Sequence, residues 1–234
     1  MDSKEFQDTI KKHPFAVLKD VVFDFLLKDI IMLRLTPGQK ISEANIASEL
    51  GISRSPVRMA IDKLISERLV IRSENKVLRV AQLETMDYLE ICNARKALEG
   101  SAAFFAANNI TEEEIINLER LTKEYKTALS EPSLTNFELA DHQFHTAIVR
   151  ASNNGYLIEM YDIIQLRILR YRYYARYRLG EKTLHSMIQN DPRSHFAIFS
   201  AIANGYSTLA KNEIELHIDG MKPFVTNLNQ MPDL

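Results

Sequence analysis

The chain is short of the residues that mark several large protein classes. Its single cysteine, Cys92, cannot close an intramolecular disulfide and suits a reducing compartment, which argues against a disulfide-stapled scaffold. Only 7 Gly and 7 Pro occur in 234 residues. That leaves little turn material for a loop-rich all-β fold and favours long helices. No run approaches the ~20 apolar residues of a membrane span. The segment Met1 to His13 is polar, unlike a signal peptide. A cytoplasmic protein with no membrane partner is therefore expected. A large charge of one sign is missing too, since the formal net charge of -2 does not fit a chain that is basic throughout.

What is present is an ordinary globular composition, 46% apolar and 26% charged, with the charge unevenly placed. Residues 1–83 hold 14 Lys and Arg against 11 Asp and Glu, while the remainder holds 15 against 20. A mildly basic N-terminal third on an acidic body fits a small nucleic-acid reader joined to a different unit.

Hydrophobic spacing organises the first third. Phe15, Leu18, Val22, Phe25, Leu26 and Ile30 recur at three and four residues, which predicts a helix from about Phe15 to Leu33, stopped by Thr36-Pro37-Gly38. A short helix follows Ser42, with Ile46, Ala47 and Leu50 inward, and ends at Gly51. A third helix opens after the N-cap candidate Ser53 and carries Val57, Ile61, Leu64 and Ile65 on one face. Leu69 to Arg72 and Val77 to Val80, separated by Ser73-Glu74-Asn75-Lys76, predict a β-hairpin.

That order has the proportions of a helix-turn-helix with a wing. Pro56 is tolerable in a first helical turn, whose N–H groups lack intrahelical partners. Arg54 and Arg58 lie four apart on one face, at the end that would enter a major groove, where a guanidinium can donate to O6 and N7 of guanine. Two arginines on a helix usually mark a solvated face, but the wing behind them argues for DNA. Lys76 near the wing tip suits a phosphate or the minor groove.

Leu35-Thr36-Pro37-Gly38, Ile41, Ala47, Gly51-Ile52-Ser53-Arg54-Ser55-Pro56-Val57-Arg58 and Ala60 resemble the winged helix of GntR-family transcriptional regulators. The family usually has Glu-Ala after the second Arg, where this chain has Met59-Ala60, and Gly at the wing tip, where this chain has Asn75-Lys76. Asn tolerates positive φ, so the turn is expected to survive. The residues expected at the DNA are Arg34, Ser53, Arg54, Ser55, Arg58 and Lys76, and a two-fold operator bound by a homodimer follows from the way symmetric readers dock.

From Leu83 to Gln230 the pattern is almost all helix. Breaks near Asn108 to Thr111, Glu131 to Ser133, Asn153 to Gly155, Leu179 to Thr183 and Asn204-Gly205 divide it into six. Thr111 with Glu114 forms a capping-box pattern. The expected architecture is mainly α: a winged helix-turn-helix over 1–82, then an antiparallel all-helical bundle over 83–234 for effector binding and dimerisation.

Three histidines fall on apolar stripes of this bundle. Asp141 and His145 stack on one helix face with Phe137, Phe144 and Ile148, in a helix expected from Ser133 to Ala151. His195 shares a face with Ile198, Phe199 and Ile202. His217 shares one with Leu209, Ala210, Glu213, Met221 and Phe224. The midpoint of 195 and 217 is 206, beside the Asn204-Gly205 turn, so the two histidines stand level in a helix hairpin. A lone inward His is most often a satisfied core residue. Three with an Asp, each costing on the order of 1–3 kcal/mol if unpartnered, are satisfied together by one metal. Imidazoles with one carboxylate suit Zn first, with Ni, Mn and Fe as alternatives, over Ca or Mg.

The same constellation resembles the metal-binding FCD domain of FadR-like GntR regulators: an Asp and a His four apart, then a His on each of the last two helices. Phe144-His145, the run Ala151 to Leu157, and Arg95 with Leu98-Glu99 also fit it. His142 and His185 have no place in the pattern and read as surface residues. In the Arg/Tyr run from Arg167 to Arg178, Ile164, Ile168, Tyr171 and Ala175 form the expected buried stripe, with most arginines turned to water or to acids. Arg167 sits beside that stripe, within reach of a buried carboxylate.

A divalent ion held by three neutral imidazoles and one carboxylate keeps a net charge of about +1. That charge, with Arg95 and Arg167 as effector contacts, favours a small organic acid. The expected function is a DNA-binding regulator whose helical domain binds a metal and a carboxylate that modulates operator binding. Two other readings use the same residues. One is a metal-dependent hydrolase or lyase on a DNA-binding head, with Glu213 as its general base. In the other, the metal itself is the signal.

Overall fold

The computed structural model describes residues 3–13, 15–131, 134–189 and 195–223, without the side chains of 134, 135, 187 and 189. Ser133, Phe224 and Gln230, which bound or line helices in the sequence reading, lie outside the described residues. Contacts divide the chain into two units, Met1–Leu83 and Glu84–Leu234.

The first unit begins with a helix that its polar composition conceals, α1 (Ser3–Lys12). Phe6, fully buried, is its anchor and meets Phe25 edge-on with ring centroids 5.3 Å apart. Gln7 Nε2 donates to the Leu50 carbonyl at 2.7 Å. Helix α2 (Leu18–Ile31) starts later than the spacing predicts, leaving Phe15 97% exposed. It also ends earlier than predicted, at Ile31, and Leu33 just beyond takes φ 58° ahead of Thr36-Pro37-Gly38.

Helices α3 (Glu43–Leu50) and α4 (Arg54–Ser66) pack on each other and bury Ile46, Ala47, Leu50, Val57, Ala60, Ile61 and Leu64. Gly51 joins them at φ 69°, and Ile52 N–H donates back to the Ala47 carbonyl at 3.0 Å. Only a residue without a Cβ takes that left-handed position freely. Ser53 occupies the N-cap position of α4, but its side chain makes no capping hydrogen bond.

The wing strands β2 (Val70–Arg72) and β3 (Leu78–Val80) pair antiparallel, with Arg72 opposite Leu78. A further strand, β1 (Lys40–Ile41), pairs with the other edge of β3, so the order is β1-β3-β2. Two residues are too few to display an alternation, which hid β1 from the sequence. At the wing tip the positive φ of 58° falls on Lys76, not on Asn75.

Among the described residues the second unit has seven helices, α5 (Thr85–Asn109), α6 (Glu112–Ala128), α7 (Leu134–Ala151), α8 (Gly155–Leu179), α9 (Glu181–Gln189), α10 (His195–Ala203) and α11 (Ser207–Met221). Seven stand where six were expected because the last but one is described as α9 and α10, on either side of residues 190–194, which lie outside the described residues. The Thr111–Glu114 capping box forms in both directions. Asn154 Oδ1 caps α8 by accepting from Tyr156 and Leu157 N–H.

Helix α5 packs against α7, α8, α10 and α11. Its small buried residues Ala102, Ala103 and Ala106 permit close approach. Gly100 carries this furthest, since a Cβ there would stand 2.7 Å from Glu215 Oε1 of α11. The expected stripe of α11 is corrected at Leu209, which is 46% exposed, while Ala210, Ile214, His217 and Ile218 are buried.

Candidate metal centre and nucleic-acid face

Three elements of the helical unit converge on one buried polar group. Helix α7 supplies Asp141 and His145, α10 supplies His195 and α11 supplies His217, all at most 3% exposed. One ligand-type atom from each lies within 4.8 Å of all the others. His145 Nε2 is 3.2 Å from His217 Nε2 and 3.6 Å from Asp141 Oδ1. His195 Nε2 is 3.1 Å from the same oxygen. Donors bound to one ion at ~2.1 Å stand about 3.0–3.4 Å apart, so these three contacts are close to that spacing and the widest pair would have to draw in to share one.

Each ring is aimed by its surroundings. His145 Nδ1 is 2.6 Å from Glu99 Oε2, which leaves Nε2 turned into the group. A carboxylate on the far nitrogen is the usual outer partner of a metal-bound histidine. Glu99 is held in turn by Arg95, whose Nε donates at 2.6 Å to Oε1 and whose Nη2 lies 3.4 Å from Oε2. The His195 ring stacks on Phe144, with centroids 4.0 Å apart and planes at 9°, and Tyr125 covers it at 3.7 Å.

The electrostatics suit a donor set. Burial pushes His195 down to about 4 and, with the neighbouring His195 and His145, holds His217 well below the usual imidazole range. Both are neutral ligands near pH 7. Burial opposes ionisation of Asp141 but is outweighed by Arg172 and His145, so the carboxyl stays well below its ordinary value. The same contest at Glu99, decided by Arg95 and His145, gives about 2. At His145 burial is outweighed by Glu99 and Asp141, which raise it.

Despite these contacts, both Asp141 oxygens, both His195 nitrogens and His217 Nδ1 are buried without a hydrogen bond among the described residues. The distances to Asp141 are ion contacts lacking hydrogen-bond geometry. Buried polar atoms left so are rare and call for a further partner. The group therefore has the composition, spacing and orphaned atoms of a site able to hold a metal.

In the first unit, β1, α4 and the wing frame a groove of about 600 Å³ that gathers Lys40, Arg54, Arg58, Arg72 and Lys76 around Glu43. Arg54, Arg58 and Lys76 are exposed, as are Ser53 and Ser55 beside them. Arg72 is tied to Asp62 at 2.7 Å.

Two family models account for most of the chain. The FCD domain matches residues 90–220, and the model described as bacterial regulatory proteins, gntR family, matches residues 18–80. This chain belongs to the GntR family and carries an FCD domain. Among its relatives, the "Probable D-xylose utilization operon transcriptional repressor" of Paenarthrobacter nicotinovorans is 28% identical over 229 residues, 94% of either chain. The HTH-type transcriptional repressor RspR of Escherichia coli is 23% identical over 224 residues, 93% of either chain. The solved structure of E. coli McbR/YncC shares the fold, with a TM-score of 0.71 at 22% identity, covering 92% of this chain and 99% of that one.

Against that family frame, the four metal-ligand candidates come together, and the groove collects Arg54, Arg58 and Lys76. Arg34 is turned elsewhere, with Nε 2.9 Å from the buried Asp29 and Nη1 3.7 Å from Glu5. Arg95 is inward as expected, but its guanidinium is engaged by Glu99. The guanidinium on Asp141 is that of Arg172, five residues beyond Arg167. Arg167 is half-buried on α8, and Glu213 half-buried on α11.

The Arg/Tyr run is less solvated than expected. Arg170 is buried, and Arg176 lies 3.1 Å from Glu138. His142 and His185 are half-buried rather than on the surface, and His185 Nε2 is 2.8 Å from the Leu129 carbonyl.

Three residues that touch the group were given no role in it from the sequence, Glu99 being quoted only as part of the family resemblance. Glu99 was visible as an acid on the apolar stripe of α5, four residues after Arg95. Tyr125 carried no mark that set it apart from other aromatics. Nothing in a helix bearing five arginines singled out Arg172.

Proposed function

We propose that the protein is a transcriptional repressor that binds a two-fold symmetric operator as a homodimer and responds to a small carboxylate through a metal held in its FCD domain. The observation that carries this reading is the buried Asp141, His145, His195 and His217 group, with Glu99 orienting His145 from behind. These residues would hold a divalent transition metal, Zn first, with Ni, Mn and Fe suited to the same donors. When bound, the ion supplies positive charge and open positions for ligand oxygens.

At the DNA, Arg54 and Arg58 read guanine edges from α4, while Ser53, Ser55 and Lys76 hold phosphates. Relatives named as repressors support the sign of regulation and a non-enzymatic role.

Elemental analysis of untagged protein, followed by operator titration with a panel of organic acids, tests the reading. One metal per chain is expected, lost in His217→Ala, together with weaker operator binding in the presence of an effective acid. A metal-free parent equally stable in chelator, with operator affinity indifferent to every acid, would refute it.

A further inference from the structure

Two guanidinium groups stand beside the four clustered residues, and they are not equivalent. Arg95 is closed off: Glu99 takes its Nε and faces its Nη2, and the other side of Glu99 serves His145. Together Arg95 and Glu99 are neutral. Arg172 engages Asp141 through Nη2 alone. Its Nε and Nη1 are buried and reach no hydrogen-bond partner among the described residues, on a side chain only 11% exposed. One turn further along α8, Arg176 lies 3.1 Å from Glu138 on α7, so it faces an acid of its own.

Two buried guanidinium donors without partners are costly unless something else accepts from them. An amide or hydroxyl of the core would suffice for a structural role, but none accepts from them among the described residues. The charge balance identifies the missing partner. With Arg95 cancelled by Glu99 and Arg176 turned to Glu138, the charges at the cluster itself are Asp141, Arg172 and the proposed divalent ion, a sum of about +2. A monocarboxylate leaves about half of that charge buried and unanswered. A ligand with two anionic ends answers both the ion and the guanidinium, whose planar donors match carboxylate oxygens.

We propose that the effector is a dicarboxylate, and that Arg172 receives one of its two carboxylates through Nε and Nη1. This rests on the metal-and-carboxylate reading above and narrows it. Arg95 is then a positioning residue for Glu99 and His145, not a ligand contact.

The test compares anions that share one end and differ at the other, titrated calorimetrically into the full chain loaded with zinc: lactate against malate, and gluconate against glucarate. At least one dianion should bind about tenfold tighter than its monoanionic partner. In Arg172→Gln that preference should vanish while zinc content stays at one per chain. Arg172→Lys, which keeps the charge, should retain part of the preference and serves as the comparison if the Gln variant does not fold. Equal binding of the paired anions by the parent overturns the proposal and leaves the carboxylate reading standing, as does a preference that survives in Arg172→Gln. Failure of all four anions to bind zinc-loaded protein overturns both.

Discussion

Replacing Glu99 by Gln keeps the size of the side chain and removes one charge at the point where three groups meet. Two effects follow, and they separate. The first is on stability. Arg95 is 2% exposed and loses the carboxylate 2.6 Å from its Nε, so an uncompensated buried cation remains. Breaking a buried pair in this way destabilises by about 3–5 kcal/mol. The second is on the donor set. Without the carboxylate 2.6 Å from Nδ1, the His145 ring loses both its orientation and part of its basicity. Loss of such an outer partner typically weakens metal affinity about 10–100-fold. Adding Arg95→Gln to Glu99→Gln removes the stranded charge, so most of the stability should return while the metal affinity stays low. Urea denaturation reads the first effect, and competition with a chromophoric chelator reads the second. Should Glu99→Gln bind zinc within twofold of the parent, the outer-partner argument for this site is wrong. If the double variant recovers affinity along with stability, the effect was on the fold alone.

Other outcomes follow from particular contacts. Arg54→Ala or Arg58→Ala should weaken specific operator binding by about 1–3 kcal/mol with little change on random DNA, whereas Lys76→Ala should weaken both and shallow the salt dependence. A sequence-independent defect in the arginine variants would contradict groove readout. Phe6→Ala empties a fully buried site against Phe25 and should cost about 3–5 kcal/mol in unfolding of the first unit; a loss under 1 kcal/mol would show that α1 is dispensable. Glu138 is raised to about 7, because its burial outweighs Arg176 and Arg172. An acid whose folded pKa is raised binds its proton more tightly when folded, so it subtracts stability as the pH climbs from about 4.5 to 7, up to about 3 kcal/mol in all. Glu138→Gln should flatten that decline in thermal melts across the pH range, and superimposable profiles for parent and variant would count against it.

Much of this protein is written in local pattern. The apolar spacing of α2, α3 and α4, the Gly51 turn and the paired runs of the wing define the DNA-reading unit, because each rests on neighbours within a few residues. The inward placement of Asp141, His145, His195 and His217 is equally local, since a helix sets side chains four apart on one face and a hairpin sets equidistant residues level. Even Glu99 was visible as an acid on the buried stripe of α5. Tertiary packing decided the rest. A ten-residue helix with a single aromatic became an ordered α1 through the packing of Phe6 on Phe25 and the bond from Gln7 to the Leu50 carbonyl, and two-residue β1 by pairing with β3. Which arginine meets Asp141 was likewise settled between α7 and α8. Along α8 every arginine of the run has the same charge and reach, so only the rotation of that helix against its neighbour could select Arg172, whereas Arg95 meets Glu99 four residues on within α5.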